Sequence, residues 1–217
     1  MSLKSNIEEF KSGFVSQVPE QIRDLMDKAQ QDIEDSGIAE RALKAGSDAV
    51  DFELPNTKGE LVSSKALRRK GPIVVSFYRG GWCPYCSLEL RALQGVNAEI
   101  RSLGAQLIAI SPQLPDKSLS TEEKNELEFE VLSDARCEVA DQYGLTFSLD
   151  ENLRPVYESW GADVAMVNGD PDCKLPMPAT YVINQDGKIV HSFVEEDYTE
   201  RLEPDEVLDS LRGLRGD

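Results

Sequence analysis

Two cysteines separated by two residues, in the segment Cys83-Pro84-Tyr85-Cys86, are the residues of this chain with the clearest capacity for chemistry. They follow an apolar, β-branched run over residues 73–78 and begin an amphipathic stretch, which predicts a strand-to-helix junction. This spacing lets two thiols close a small disulfide ring, and the amides and dipole at a helix start favour thiolate. The motif therefore predicts a redox pair. Cys83, first in the helix and more exposed, attacks, and Cys86, one turn deeper, resolves.

A structural zinc site is the alternative interpretation of a Cys-x-x-Cys pair. Zinc would need two further ligands, which usually come as a second pair. The remaining candidates, Cys137, Cys173 and His191, are scattered singly along the chain. The redox interpretation is therefore favoured, with no metal and no cofactor beyond the disulfide itself. Cys137 is interpreted as a buried small hydrophobe and His191 as a strand surface residue.

The charge of the chain excludes some classes of partner. A formal net charge of −17 argues against binding to nucleic acid or to an anionic membrane, since both would be repelled. No N-terminal stretch has the pattern of a signal peptide, and no apolar run approaches membrane-spanning length. Four cysteines are too few for a disulfide scaffold in a chain this long. We therefore expect a cytoplasmic protein that keeps its cysteines for chemistry.

Apolar residues recur at three- and four-residue steps over residues 3–45, which predicts a helical N-terminal extension. Pro19 is expected to break it into two helices and to lie in the first turn of the second. This arm either packs on the main domain or contributes to a homodimer, and packing is the favoured interpretation.

The rest of the chain alternates strand and helix patterns. Strands are predicted over residues 73–78, 106–111, 129–132, 180–184 and 188–193, and helices over 84–103, 120–127, 135–143, 153–160 and 204–214. The first strand, helix and strand imply a right-handed parallel crossover, and Gln185-Asp186-Gly187 predicts a hairpin. Residues 161–175 are expected to form a polar loop. This order, with Cys-x-x-Cys at its first turn, is that of the thioredoxin fold, an α/β fold with a central mixed sheet flanked by helices.

Residues 46–214 resemble the peroxiredoxin-like branch of the alkyl hydroperoxide reductase C / thiol-specific antioxidant family. The resemblance is carried by Asp51-Phe-Glu-Leu-Pro55, Trp82-Cys-Pro84, Leu132-Ser-Asp134 with Val139-Ala140 and Tyr143-Gly144, and Pro178-Ala-Thr-Tyr-Val-Ile-Asn184 with Gly187. It divides the chain into an extension, residues 1–45, and a peroxiredoxin-like domain, residues 46–217. It implies a thiol peroxidase that reduces hydrogen peroxide or organic hydroperoxides through Cys83, with Cys86 resolving and a thioredoxin- or glutathione-type electron donor.

Two positions depart from the pattern of that family. Gly80 stands where peroxiredoxins carry a threonine, and Pro178 stands where their active-site arginine normally lies. Both missing groups bind and polarise the peroxide. Arg79 is expected to replace part of this function, because a guanidinium near Cys83 lowers the pKa of its thiol.

The local motif supports a second function, thiol-disulfide exchange on protein or glutathione disulfides. The dipeptide Pro-Tyr between the two cysteines is the one found in glutaredoxins, and Trp82 precedes the pair. Thioredoxins and glutaredoxins also hold a cis-proline facing their redox pair, and Met177-Pro178 is expected to supply it. Pro176 is the rival for this role, and a trans-proline that ends a loop is the alternative interpretation of Pro178. The peroxidase is the favoured function of the two.

Three further residues are assigned more than one role. Cys173 leads into Pro178, so it is interpreted either as a third, relaying thiol or as an ordinary loop cysteine. Tyr198 and Arg201 either pack beside the redox pair or belong to a solvated, salt-bridged turn. The solvated turn is the favoured interpretation.

Overall fold

The computed structural model describes residues 2–216. Its helices are α1 Leu3–Gln17, α2 Glu20–Asp35, α3 Ile38–Arg41, α4 Ser64–Arg68, α5 Pro84–Ser102, α6 Pro115–Lys124, α7 Glu138–Gln142, α8 Arg154–Ser159, α9 Val164–Asn168 and α10 Pro204–Arg215. Its strands are β1 Glu53–Pro55, β2 Leu61–Ser63, β3 Ile73–Phe77, β4 Gln106–Ser111, β5 Glu130–Ser133, β6 Thr146–Ser148, β7 Lys174–Pro176, β8 Ala179–Ile183 and β9 Ile189–Val194.

A five-stranded mixed sheet organises the chain, with strand order β5-β4-β3-β8-β9. β3, β4 and β5 pair in parallel, whereas β8 is antiparallel to both β3 and β9. The predicted fold class, a central mixed sheet with flanking helices, is confirmed. The parallel crossover through α5 brings the start of that helix to the carboxyl end of β3.

The apolar run of β3 is buried on both faces, as its sequence predicts. Val74 packs with Leu90 of α5 and Leu208 of α10 on one face. Val75 and Phe77 belong to a second core cluster on the other face. Because β3 is packed on both faces, its carboxyl end is held in place. The position of the residues that follow is therefore fixed as well.

The N-terminal arm packs on the rest of the chain, as favoured. Leu3 and Ile7 of α1 enter the same core cluster as Leu90 of α5. Met26 of α2 packs against a third cluster, which contains Leu153. Pro19 lies immediately before α2 rather than in its first turn. The division of the chain at residue 45 stays a prediction.

Three local expectations were wrong. α6 begins at Pro115 rather than at residue 120, because proline suits the first turn of a helix. The helix predicted from residue 135 begins only at Glu138, because Arg136 and Cys137 before it have left-handed φ of 64° and 58°. The expected loop over 161–175 contains α9 and the first two residues of β7. Within residues 2–216, no helix has the length and apolarity needed to cross a bilayer.

Candidate active site

Cys83 and Cys86 lie at the junction of β3 with α5. Cys83 is the N-cap residue of α5, and Pro84 occupies the first helical position, where its missing N–H costs nothing. The Cys83 amide donates to the Gly80 carbonyl at 3.1 Å, and its own carbonyl accepts from the Ser87 amide at 3.1 Å. The first cysteine therefore meets the positive end of a 19-residue helix, and the second lies one turn inside it.

The loop before Cys83 requires glycine at position 80. Gly80 has φ of 149°, and a Cβ placed on it would lie 2.4 Å from Nε1 of Trp82. A threonine cannot occupy this position without moving the tryptophan. The next residue is held from outside the loop, because the Gly81 amide donates to Oε1 of Gln113 at 2.7 Å. The backbone conformation of the loop and the position of Trp82 therefore explain why residue 80 is glycine here and not the threonine of peroxiredoxins.

Both thiols are free and buried in this structure. Cys83 is 2% exposed and Cys86 is 0% exposed, so the predicted difference in exposure is small. A cavity of about 70 Å³ adjoins Cys83. Its aromatic lining consists of Phe14, Trp82, Tyr85, Tyr157, Trp160 and Tyr198. The N-terminal arm contributes Phe14 and Met26 to this lining.

Two buried arginines set the electrostatics of the pair. Burial alone would raise the pKa of Cys83, but a hydrogen bond with Cys86 and the charges of Arg79 and Arg201 outweigh it. Together they lower the pKa to about 6. The pKa of Cys86 is held well above its usual range by burial and by the hydrogen bond and charge of Cys83, against the charge of Arg201. At neutral pH the first sulfur is therefore mostly a thiolate, and the second keeps its proton.

Arg79 is enclosed by aromatic rings. Its guanidinium carbon lies 4.5 Å from the ring centre of Tyr198, 5.1 Å from Trp82 and 5.7 Å from Tyr157. Its Nη2 donates to the Tyr157 hydroxyl at 3.2 Å. These contacts keep a cation buried beside Cys83 at 3% exposure. The structure thus brings Arg79 and Trp82 to the redox pair, as expected.

A buried ion pair lies behind Cys86. Nε of Arg201 donates to Glu89 at 2.6 Å, and each side chain is 2% exposed. Nη2 of the same arginine lies 3.6 Å from the sulfur of Cys86. Glu89 also accepts from Thr180 at 3.2 Å. Burial raises the pKa of Glu89 to about 7, although these partners lower it.

This ion pair corrects the favoured interpretation of residues 198–201. Arg201 is buried at the redox pair instead of lying in a solvated turn, and Tyr198 covers Arg79. Sequence reasoning missed Glu89 altogether. One signal was available, because Glu89 follows Cys86 by three residues and so shares its helix face, among apolar residues.

The expected cis-proline is a further correction. Every peptide bond described for residues 2–216 is trans, including the one between Met177 and Pro178. The Met177 amide donates to the Leu145 carbonyl at 2.8 Å and so continues the pairing of β7 with β6. The chain therefore arrives at β8 already extended. Met177 packs in the core cluster on the opposite sheet face from Cys83, and neither it nor Pro178 lines the cavity there.

Cys173 lies in a third cluster, with Leu175 and Tyr157, and does not line the cavity beside Cys83. Burial raises the pKa of its thiol, which disfavours the reactive thiolate. Its role as a relaying thiol stays a prediction. Cys137 is fully buried, as expected of a small hydrophobe. Within residues 2–216 no three His, Cys, Asp or Glu side chains are grouped so as to hold a metal.

A family model supplies the deciding comparison. The model described as the AhpC/TSA family matches residues 45–192. The chain belongs to this family. The matched range includes Cys83, Cys86 and Glu89, and it leaves out Phe14 of the arm and Arg201.

Individual relatives agree with this assignment. Peroxiredoxin Bcp of Escherichia coli is 28% identical over 170 residues, which cover 78% of this chain and 96% of the relative. The thiol-disulfide oxidoreductase ResA of Halalkalibacterium halodurans is 27% identical over 155 residues, 70% of each chain. The crystal structure of peroxidoxin BcpB from Mycobacterium tuberculosis has a TM-score of 0.62 and 25% identity. It covers 80% of this chain and 99% of its own.

Proposed function

We propose that this AhpC/TSA family member is a thiol-dependent peroxidase that reduces hydrogen peroxide or organic hydroperoxides. It is an oxidoreductase in which Cys83 is the attacking thiolate and Cys86 is the resolving thiol. The observation that carries the proposal is the lowered pKa of Cys83 between Arg79 and Arg201. In this family, and with relatives called peroxiredoxins, a stabilised thiolate is what attack on a peroxide requires.

The first step is attack by the Cys83 thiolate on one peroxide oxygen. The O–O bond breaks, the sulfur becomes a sulfenic acid, and the leaving alkoxide or hydroxide takes a proton to give alcohol or water. Arg79 is suited to this step because its positive charge is buried next to the reacting sulfur. Arg79 thus offers a guanidinium in place of the arginine that peroxiredoxins carry where this chain has Pro178.

The second step is attack by Cys86 on the oxidised sulfur. Two of the causes that raise the pKa of Cys86 are the hydrogen bond and the charge of the Cys83 thiolate. Both disappear once Cys83 is a neutral sulfenic acid, so the pKa of Cys86 falls when its thiolate is needed. Arg201 remains 3.6 Å away to stabilise that thiolate. Formation of the S–S bond then releases the sulfenic oxygen as water.

A thioredoxin- or glutathione-type donor would return two electrons to the disulfide, and we place this cycle in the cytoplasm, where thiols are kept reduced. A homodimer built on the N-terminal arm stays a prediction. Thiol-disulfide exchange is the second candidate function. It is favoured by the likeness to ResA and by the Cys-x-x-Cys pair at a helix start.

One pair of assays separates the two functions. Reduced protein is mixed with hydrogen peroxide or cumene hydroperoxide while tryptophan fluorescence is followed, since Trp82 and Trp160 both line the cavity beside Cys83. The same sample is tested for reduction of insulin disulfides. Oxidation much faster than that of free cysteine supports the peroxidase. Oxidation no faster than free cysteine, with brisk insulin reduction, would assign the chain to disulfide exchange.

Three serine variants assign the thiols in these assays. Cys83→Ser is expected to abolish turnover, and Cys86→Ser is expected to stop at a sulfenic acid that a dimedone probe labels. Cys137→Ser is the matched control, because this thiol is fully buried in the cluster on the other sheet face. Full turnover by Cys86→Ser at the wild-type rate would show that another thiol resolves, with Cys173 the next to be tested.

A further inference from the structure

A second cavity, of about 240 Å³, lies between α2 and the segment around β6 and α8. Its apolar lining includes Met26, Ala29, Ile33, Phe147, Leu149 and Leu153. Arg79, Tyr157, Tyr198 and Met26 line both this cavity and the one beside Cys83. Sites for drug-sized ligands usually have 300–1,000 Å³. The size therefore restricts any occupant to a small molecule.

Two residues of the lining each have a buried side-chain atom with no hydrogen-bond partner among residues 2–216. These atoms are Nε of Arg79, a donor, and Oε1 of Gln30, an acceptor. The Arg79 guanidinium is 3% exposed and has a hydroxyl, not a carboxylate, as its hydrogen-bond partner. A buried cation and a buried unpaired amide oxygen both cost free energy. An occupant with an anionic group would match the charge of Arg79, and a donor group would match the amide oxygen of Gln30.

The lining of this cavity carries charges of both signs. Arg79 is buried, whereas the acidic residues Asp32 and Asp150 line the same cavity, and Asp32 is exposed to solvent. A plain carboxylate would be attracted by the arginine and repelled by the two acids. A zwitterion has a favourable partner for each of its charges.

We propose that this cavity binds a small zwitterionic α-amino acid with an apolar side chain. The carboxylate pairs with Arg79, and the ammonium group is directed to Gln30 and the two aspartates. The apolar side chain packs among Met26, Ile33 and Leu153. The site adjoins the cavity beside Cys83 and shares four lining residues with it, and of these Arg79 is the one through which the ligand acts on the cysteine pair.

The consequence for Cys83 follows from the shared guanidinium. A carboxylate on Arg79 offsets the positive charge that stabilises the neighbouring thiolate. Binding is therefore expected to raise the pKa of Cys83 and to reduce the fraction of thiolate near neutral pH. A ligand remote from Arg79 would leave the pKa of Cys83 unchanged.

Isothermal calorimetry with L-leucine on the full chain tests the site directly. 4-Methylpentanoate, which lacks only the ammonium group, and isopentylamine, which lacks only the carboxylate, are the matched controls. The expected result is one leucine per chain, bound at least tenfold more tightly than either control. Leucine bound no more tightly than the controls, or not at all, would overturn the proposal. The readout needs no turnover, so it stands or falls separately from the peroxidase activity.

Variants locate the binding. Ala29→Phe fills the cavity from α2 and is expected to abolish the calorimetric signal, with folding checked by circular dichroism. Asp32→Asn removes one acidic partner and should weaken leucine binding about twofold to fivefold, as loss of an exposed ion pair does. Asp27→Asn makes the same charge change on the same helix outside the cavity and should bind as the wild type does. Equal weakening by Asp27→Asn and Asp32→Asn would place the ligand elsewhere.

Discussion

The guanidinium of Arg201 lies against the sulfur of Cys86, with 3.6 Å between Nη2 and Sγ and neither side chain open to solvent. The same guanidinium is held by Glu89 through a 2.6 Å bond and by the backbone carbonyls of Tyr198 and Glu200. A positive charge is therefore fixed next to Cys86, the thiol that we propose to be the resolving one. This arrangement leads to the first prediction.

Arg201→Met is expected to lower the free energy of unfolding by about 3–5 kcal/mol, because it leaves the buried Glu89 carboxylate without its partner. Chemical denaturation monitored by circular dichroism measures this. The double variant Glu89→Met/Arg201→Met removes both charges and is expected to recover most of the loss. A single variant as stable as the wild type would mean that Glu89 is already protonated in the fold.

Thiolate formation at Cys83 is expected to follow pH with a midpoint near 6, below the ordinary value of 9.0. The ultraviolet absorbance of the thiolate in the reduced protein measures it without needing access to the buried sulfur. Absorbance should rise between pH 5 and pH 7 in the wild type. In Cys83→Ser this rise should be missing. A first midpoint above 8 would contradict the assigned electrostatics.

The same shift makes stability depend on pH in a stated direction. Between about pH 6 and pH 9 the unfolded chain holds a proton on Cys83 that the folded chain has lost, so stability rises with pH. The contribution is complete above pH 9 and is lost as the pH falls through 6. The denaturation midpoint of the wild type minus that of Cys83→Ser should therefore increase with pH across this range. Parallel curves would contradict the lowered pKa.

Phe14→Ala is expected to increase the rate at which iodoacetamide alkylates Cys83 several-fold. Phe14 lines the cavity beside this thiol and packs edge-on against Trp160, with ring centres 5.6 Å apart. Val15→Ala is the control, since Val15 is on the same helix, 41% exposed and outside the cavity. Mass spectrometry of quenched samples gives both rates. Equal rates would show that the arm does not limit access.

Gly80→Ala is expected to destabilise the fold by about 1–3 kcal/mol, because it combines a strained φ with contact on Trp82. Gly95→Ala is the matched control, since a Cβ there meets nothing within 4 Å and the residue lies inside α5. Alanine is favoured over glycine by about 0.8–1.0 kcal/mol in a helix interior. The two thermal midpoints should therefore move in opposite directions.

Much of the fold follows from patterns that are local in the chain. The apolar run of β3, the amphipathic face of α5 and the turn before β9 each depend on neighbouring residues, so they were predicted within a few positions. Gly80 was recognised as a departure from the family pattern. The reason for it, a clash with Trp82, required the path of the loop. The bond before Pro178 was predicted cis by analogy with thioredoxins and glutaredoxins, and the pairing of β6 with β7, which precedes it, was not visible in the sequence.

The sequence by itself determined where the Cys-x-x-Cys pair lies, at the junction of β3 and α5, and the mixed sheet that holds it. Only the tertiary structure decided what surrounds the pair. Arg201 is 115 residues from Cys86 in the chain, and Phe14 comes from an arm beyond the family match. Periodicity and spacing describe neighbours along the chain. The charge and aromatic cover at Cys83 come from segments that meet only when the sheet and its helices pack.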